Sequence, residues 1–367
     1  MSQPIRVLQV VTHMNRGGLE TMLMNYYRHV DRKKVQFDFL VHRQERAAYD
    51  DEIESLGGIL YRLPRLVPWS WSYLFALDQF FIDHPEYQIV HVHQDCLSSV
   101  ILKAAKQHGV PVRIAHSHNS MQDKNLKYPI KLWYRQFIPK YATALFSCGK
   151  DAGEWMFGKH GFQILNNAID CGAYSYSIER RDLLRAELSI SENTFVVGHV
   201  GRFSPQKNHD FLIDIFASIH EQRPDSVLLL VGDGELRSQI ESKVRDLGLQ
   251  KHVIFTGVRS DVADLMQAMD VFVFPSLYEG FGIVALEAQA AGLPCVTSDQ
   301  VPSDCILTDL VTQIPLVASP DQWSEYILSC AQTRNNTYDQ LCAAGFDIVA
   351  NAQFLEEFYL HESTVQK

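Results

Sequence analysis

The stretch HVGRFSPQKNHD, residues 199–210, sets two cations five positions apart, Arg202 and Lys207, just past the apolar run TFVVGHV (194–200). A helical pattern begins at about Asn208. A planar guanidinium, a mobile ammonium and the free amides of a helix start suit a diphosphate. The plainer alternative is a pair of solvated surface charges, and the position at a strand's carboxyl end weighs against it. In PSLYEGFGIVALEAQAAGLP, residues 275–294, Glu279 and Glu287 stand eight residues apart. Carboxylates accept hydrogen bonds from paired sugar hydroxyls. Glu287, beside the small residues Ala285, Ala288 and Ala290, suits a ribose diol, and Glu279 suits the hydroxyls of a second sugar. Between them Phe281, Gly282 and Ile283 offer backbone amides at a helix start. A helix-capping role for Glu279 and a solvated helix position for Glu287 are the alternatives.

Residues 280–285 also spell GxGxxA, a dinucleotide fingerprint. That fingerprint belongs directly after the first strand of a βαβ unit, with an acidic residue about 20 positions on. Here it follows a late strand. Near the start, THMNRGGLE (12–20) places Gly17 and Gly18 after the first strand, where backbone can approach a ligand closely. Leu19 and Glu20 then open a helix; a simple strand–helix turn is the alternative.

AHSHNS (115–120) puts His116 and His118 on one strand face, and His91 and His93 share a face in the same way. Two HxH pairs raise a metal. The neighbouring acids are only Asp95 and Asp123, and no Asp-x-Asp triplet occurs, so we expect no metal and no cofactor. His91 and His116 read as strand-end histidines satisfied by hydrogen bonds, and His118, nearer the ligand side, as a functional candidate. In residues 122–141, Lys124, Lys127, Lys131, Arg135 and Lys140 alternate with Leu132, Trp133, Tyr134, Phe137 and Ile138. That pattern predicts a basic amphipathic helix, packed on the core along one edge or laid on an anionic membrane. PRLVPWSWSY (64–73) reads as another exposed aromatic element or an acceptor-side loop.

The elements that must hold these residues are short apolar strands alternating with helices. Strands are expected at 5–11, 35–41, 88–93, 112–117 and 142–148, and again at 194–200, 226–232, 252–257, 271–276 and 294–298. Their continuous apolar runs suit parallel strands covered on both faces. The βαβα rhythm starts twice, predicting two open parallel sheets. Ligands of such sheets bind beyond the carboxyl ends of the strands, where the residues above stand. The 367 residues also call for two domains. Residues 1–168 carry a net +5 and the rest −15, so the halves differ in charge and the chain as a whole (−10) is no general nucleic-acid binder. The seven cysteines form no CxxC pair, no apolar run reaches membrane-span length, and MSQPIRVLQVV is a poor signal peptide. A reduced, cytoplasmic protein is expected.

Together, GGLE (17–20), His118, GRFSPQKN (201–208), VGDGEL (231–236), TGVRSDV (256–262) and the Glu279–Glu287 E-x7-E pair resemble the retaining GT-B glycosyltransferases of family 4, glycosyl transferases group 1, especially bacterial exopolysaccharide and capsule enzymes. The resemblance implies two Rossmann-like doubly wound α/β domains facing a central cleft: 1–170 on the acceptor side, 171–345 binding the nucleotide-sugar donor, and a helix in 346–367 crossing back to the first. It implies that Arg202 and Lys207 bind the donor diphosphate, that Glu287 holds the ribose, and that Glu279 with the amides of Phe281, Gly282 and Ile283 holds the transferred sugar. Gly17 and Gly18 would face the phosphates, Val258 and Arg259 would line the base pocket, and His118 matches the active-site histidine. One departure is Ala168 in Asn167-Ala168-Ile169-Asp170, where the family often has glycine; alanine tolerates left-handed backbone less well.

The activity implied is metal-independent transfer of a hexosyl group, with retention, from a UDP-sugar to a saccharide hydroxyl, lipid-linked by resemblance. Membrane-surface contact through 122–141 would place the enzyme at the inner face of the cell membrane. A nucleotide-sugar 2-epimerase, a non-catalytic nucleotide-sugar sensor and an NAD(P)-linked oxidoreductase remain as alternatives.

Overall fold

A computed structural model of the chain describes residues 3–119, 127–330 and 334–365. It divides into two compact units, Met1–Ile169 with Gly345–Lys367, and Asp170–Ala344. The first unit holds the strands Ile5–Val11 (β1), Val35–Val41 (β2), Leu60–Arg62 (β3), Ile89–Val92 (β4), Val112–Ser117 (β5), Ala144–Ser147 (β6) and Gln163–Ile164 (β7). They form one sheet in the order β3-β2-β1-β4-β5-β6-β7, with every pairing parallel. The second unit holds Phe195–Val200 (β8), Ser226–Val231 (β9), Val253–Gly257 (β10), Val271–Phe274 (β11), Cys295–Ser298 (β12) and Val311–Ile314 (β13). Their order is β10-β9-β8-β11-β12-β13, again parallel.

The ten strands expected from apolar runs are all present. The three not expected, β3, β7 and β13, lie at sheet edges, where fewer side chains are covered and the apolar signal fades. Strand β2 shows the opposite limit, with all seven residues buried. Its Asp38 is tolerated there because Arg6 donates to it through Nε (2.6 Å) and the Tyr87 hydroxyl donates at 2.7 Å; a buried charge without such partners is strongly disfavoured.

The helix Ile348–Val365 belongs to the first unit although it ends the chain. Ile348, Ala352, Leu355 and Tyr359, one face of that helix, are buried with Met22, Tyr26, Phe37 and Phe146. The chain enters it through a parallel bridge between Ile169 and Asp347, with Ile348 N–H donating to Ile169 O at 3.0 Å. Ala168, at the same passage, is fully buried and keeps negative-φ backbone, so this position makes no demand for glycine.

Residues 122–126 of the basic aromatic stretch, with Lys124, lie outside the described residues, as does Asp123. The remainder is not one helix. Tyr128–Arg135 and Ile138–Tyr141 are separate, and Pro139 sits in the first turn of the second. Proline has no amide to donate and clashes with the preceding turn, so it starts a helix rather than continuing one. All seven cysteines are free thiols, five of them buried.

Candidate active site

In the second sheet the strand order reverses between β8 and β11, so the crevice beyond their carboxyl ends is the natural ligand position of that sheet. The 201–208 loop leaves β8 and the 275–282 loop leaves β11, and they are tied together there. Leu277 N–H donates to Gln206 O at 2.8 Å, and Asn208 Nδ2 donates to Pro275 O at 3.2 Å. Lys207 Nζ donates to Glu279 Oε1 at 2.6 Å, and Gln206 Nε2 donates to Glu279 Oε2 at 3.2 Å. The Lys207 side chain is 16% exposed and that of Glu279 6%. The ammonium also lies 4.6 Å from the Phe274 ring centroid, a cation–π contact. Asn208 adopts left-handed backbone (φ 54°) to turn the chain into the helix His209–Gln222.

Arg202 stands apart from this pair. Its guanidinium is 73% exposed and pairs with Glu235 at 3.0 Å. The structure therefore brings Lys207 and Glu279 together but leaves Arg202 on a neighbouring acid. Such an exposed pair is weak, because solvent screens it, and is readily exchanged for a better anion.

Gly282 caps the helix Ile283–Ala290 with φ 88°, a left-handed conformation that favours glycine. Phe281 is buried and Ile283 half-buried. Glu287 lies one turn into that helix, 7% exposed. Burial raises its carboxyl to about 7, opposed by a hydrogen bond from the Tyr174 side chain. Val258, just beyond β10, is 58% exposed, while Arg259 is held by Asp261 (Nε to Oδ1, 2.8 Å) and reaches Glu187 at 3.4 Å. The GxGxxA residues follow β11, the fourth strand of their unit in chain order, so the context of a dinucleotide fingerprint is missing.

The first unit carries its own set. Its strand order reverses between β1 and β4. Gly17, in extended backbone, precedes the helix Gly18–His29. A side chain there would meet Glu20: a Cβ on Gly17 would lie 2.4 Å from Glu20 Oε2. Burial raises the Glu20 carboxyl to about 7. His118 follows β5 directly, half-buried, with Nε2 2.8 Å from His93 Nδ1. Burial holds His118 down at about 3 and lowers His91, His93 and His116 as well, so all four are neutral near pH 7.

His91, His93 and His116 bring ring nitrogens within 4.8 Å of one another. A tetrahedral zinc would draw its nitrogens to about 3.3 Å apart and needs lone pairs converging on one point. Here His91 stacks on His93 and His116 at 25° and 18°, and both nitrogens of His93 are already hydrogen-bonded. This cluster does not fit a metal as it stands.

Residues 180–342 match the family described as Glycosyl transferases group 1, and residues 16–172 match Glycosyltransferase Family 4. The protein named "Putative glycosyltransferase EpsF" of Bacillus subtilis (strain 168) is 37% identical over 96% of both chains. The chain belongs to the family 4 glycosyltransferases. The UDP-Gal:alpha-D-GlcNAc-diphosphoundecaprenol alpha-1,3-galactosyltransferase of Escherichia coli is 31% identical over 60% of each chain. Among solved structures, Anabaena Alr3699/HepE in complex with UDP has a TM-score of 0.79 at 21% identity, covering 97% of this chain and 100% of that one. Sucrose-phosphate synthase from Thermosynechococcus elongatus has 0.76 at 18%, covering 99% and 100%. The fold of this glycosyltransferase is GT-B, with two parallel-sheet α/β domains.

Sequence reasoning missed the residues that shape the donor-side loops. Gln206 and Asn208 clamp the two loops, and Tyr174 reaches Glu287 from the short helix Cys171–Tyr174. The VGDG glycines also acquire a reason. A Cβ on Gly232 would lie 2.1 Å from Gly201 O, and one on Gly234 2.5 Å from Phe203 O. Both contacts are with the backbone on either side of Arg202. Gly234→Ala is expected to cost about 1–3 kcal/mol, as overpacking does, and to weaken nucleotide binding by displacing that loop. Urea denaturation and calorimetric titration of the variant measure both; unchanged values would refute the close approach.

Proposed function

We propose that this glycosyltransferase moves a hexosyl group from a nucleoside-diphosphate sugar, with uridine as the base, to a hydroxyl of a lipid-linked saccharide in exopolysaccharide synthesis. The anomeric configuration is retained and no metal ion takes part. The observation that carries this reading is the part-buried Lys207–Glu279 pair at the strand-order reversal of the second sheet, beside the helix start at Gly282. Support for the nucleotide comes from the structural neighbours of the same fold, which were solved with UDP and with UDP-glucose. Support for the acceptor comes from the Escherichia coli relative, named for a diphosphoundecaprenol-linked sugar.

In this mechanism the bond between the sugar's anomeric carbon and the diphosphate oxygen breaks, and its electron pair stays on the diphosphate. Lys207, Arg202 and the amides of Phe281, Gly282 and Ile283 receive that charge. Arg202 leaves Glu235 to do so. Glu279 orients Lys207 and accepts from the sugar's hydroxyls. Glu287 accepts from the ribose, and Val258 and Arg259 border the base. The acceptor oxygen attacks on the face the diphosphate leaves, and its proton passes to the departing phosphate oxygen. Within the first unit, the groups offered to substrate are the Gly17 and Gly18 backbone, suited to phosphate, and His118, suited to a hydroxyl.

The first unit also carries an apolar groove of about 480 Å³, lined by Trp71, Phe75, Trp133 and Phe137 with Lys103 beside them. Trp71 and Phe75 are 86% and 70% exposed. No helix among the described residues is long and apolar enough to cross a membrane. Exposed aromatics near cations suit the surface of an anionic bilayer, and we assign this face to peripheral contact on the cytoplasmic side.

Lys207→Ala and Arg202→Ala are each expected to lower kcat by about 100-fold or more, with folding checked by melting temperature and activity surviving EDTA. Near-normal turnover of either variant, or EDTA inactivation reversed by a divalent ion, would sink the cation mechanism. Glu287 makes a pH prediction. Its folded pKa lies above the ordinary 4.5, so its contribution to stability falls as pH rises from 4.5 to about 7. Ribose hydroxyls donate more strongly to the ionised carboxylate than to the neutral acid, so UDP binding lowers that pKa and releases a proton near pH 7. Calorimetry in buffers of different ionisation enthalpy reads the release, and Glu287→Gln should abolish it; identical release in the variant would remove the ribose contact. Phosphatidylglycerol vesicles should bind the protein in flotation, neutral vesicles less, and a Trp71→Ser/Trp133→Ser double variant least. Equal recovery in all three would contradict the membrane face.

A further inference from the structure

Behind His118 runs a continuous line of buried hydrogen bonds ending on the chain's last helix. His118 Nε2 lies 2.8 Å from His93 Nδ1, and His93 Nε2 lies 3.0 Å from Gln9 Oε1. Gln9 Nε2 lies 3.2 Å from the Tyr359 hydroxyl, which lies 2.6 Å from His91 Nδ1. Gln9 on β1 and His91 on β4 are register partners, and Gln9 and Tyr359 are fully buried, so solvent does not satisfy these groups instead.

The Gln9 amide has its donor at one end and its acceptor at the other, and each neutral imidazole has one of each, so the direction of the Gln9 amide sets that of His93 and His118, and distance indicates it. Hydroxyl donors make bonds of about 2.5–3.0 Å and amide N–H donors about 2.7–3.2 Å. The 2.6 Å contact is therefore Tyr359 O–H donating to His91, and the 3.2 Å contact is Gln9 N–H donating to Tyr359. The Gln9 amide then turns its oxygen to His93, whose Nε2 must carry the proton. Neutral His93 has one ring proton, so its Nδ1 accepts, and His118 must donate from Nε2. That leaves His118 Nδ1 unprotonated, and it has no partner among the described residues.

We propose that Gln9 and His93, backed by Tyr359, are positioning residues that hold His118 as the Nε2–H tautomer and so keep its Nδ1 as an acceptor for a substrate hydroxyl. This rests on the reading that His118 touches substrate. The inference also gives the returning helix Ile348–Val365 a part in the site, since Tyr359 anchors the amide that sets the direction. A histidine in the wrong tautomer presents a proton where a lone pair is needed, which is why a fixed partner matters to such residues.

The test is a two-bond 1H–15N spectrum of the full-length protein labelled at histidine, with His118 assigned through His118→Asn. The expected wild-type pattern is protonated Nε2 and bare Nδ1. Gln9→Met, or the milder Tyr359→Phe, should give a mixture of tautomers at His118. His93→Leu should lower kcat by about 100-fold with donor KM unchanged. His93→Asn, whose amide oxygen can sit where Nδ1 was and accept from His118, should recover part of that loss. A wild-type Nδ1–H pattern would overturn the proposal, as would an unchanged tautomer and kcat in both Gln9→Met and His93→Leu. Failure of the transferase reading looks different: no nucleotide sugar is turned over while the His118 pattern stays as expected.

Discussion

A part-buried ammonium–carboxylate contact, Lys207 to Glu279, joins two loops whose residues are 72 positions apart in the chain. Removing either partner would leave the other charge part-buried without its ion pair, which is unfavourable. The pair exists because parallel strands β8 and β11 lie side by side with their carboxyl ends together, while β8 leads to a neighbour in one direction along the sheet (β9) and β11 to a neighbour in the other (β12). Gln206, Asn208 and the Gly282 turn then have one geometry available. The ammonium is thereby held against the carboxylate with most of its side chain covered.

The first unit solves a different problem, a set of polar side chains inside an otherwise apolar interior. Four histidines line the ends of β4 and β5, and burial keeps them neutral. The line from His118 to Tyr359 satisfies them in part, whereas both nitrogens of His116 lack partners among the described residues. Polar groups in a low-dielectric interior favour one defined arrangement over many. The helix that supplies Tyr359 also supplies Ile348, Ala352 and Leu355 to the core, so one element serves packing and hydrogen bonding together.

Much of the architecture was legible in the residues. Continuous apolar runs announced the central strands, and the order of GGLE, GRFSPQKN and the two glutamates announced the family. Three of the four edge strands were not legible, Leu60–Arg62 and Gln163–Ile164 being too short and too exposed to show a pattern, whereas the edge strand β10 was. The basic stretch misled, since its periodicity continues across residues 136–137 while the helix does not, Pro139 lying in the first turn of a second one. Residue type marked Arg202 and Lys207 as equivalent cations, but only Lys207 is drawn to Glu279; the longer, more exposed Arg202 finds Glu235, which no spacing rule pairs with it.

What the amino-acid order determined by itself is the kind of structure and the chemical inventory: two parallel sheets, cations and carboxylates just past their strands, and glycines where backbone turns sharply. These follow from local periodicity and from short-range sterics, which a linear string contains. What the tertiary structure decided is which groups meet. Glu287 with Tyr174, Gly234 against Phe203, and His118 tied through His93 and Gln9 to Tyr359 are encounters across strands and across the length of the chain. Burial, proton placement and charge pairing depend on the three-dimensional neighbourhood, and that neighbourhood exists only once the sheets have closed around their cores.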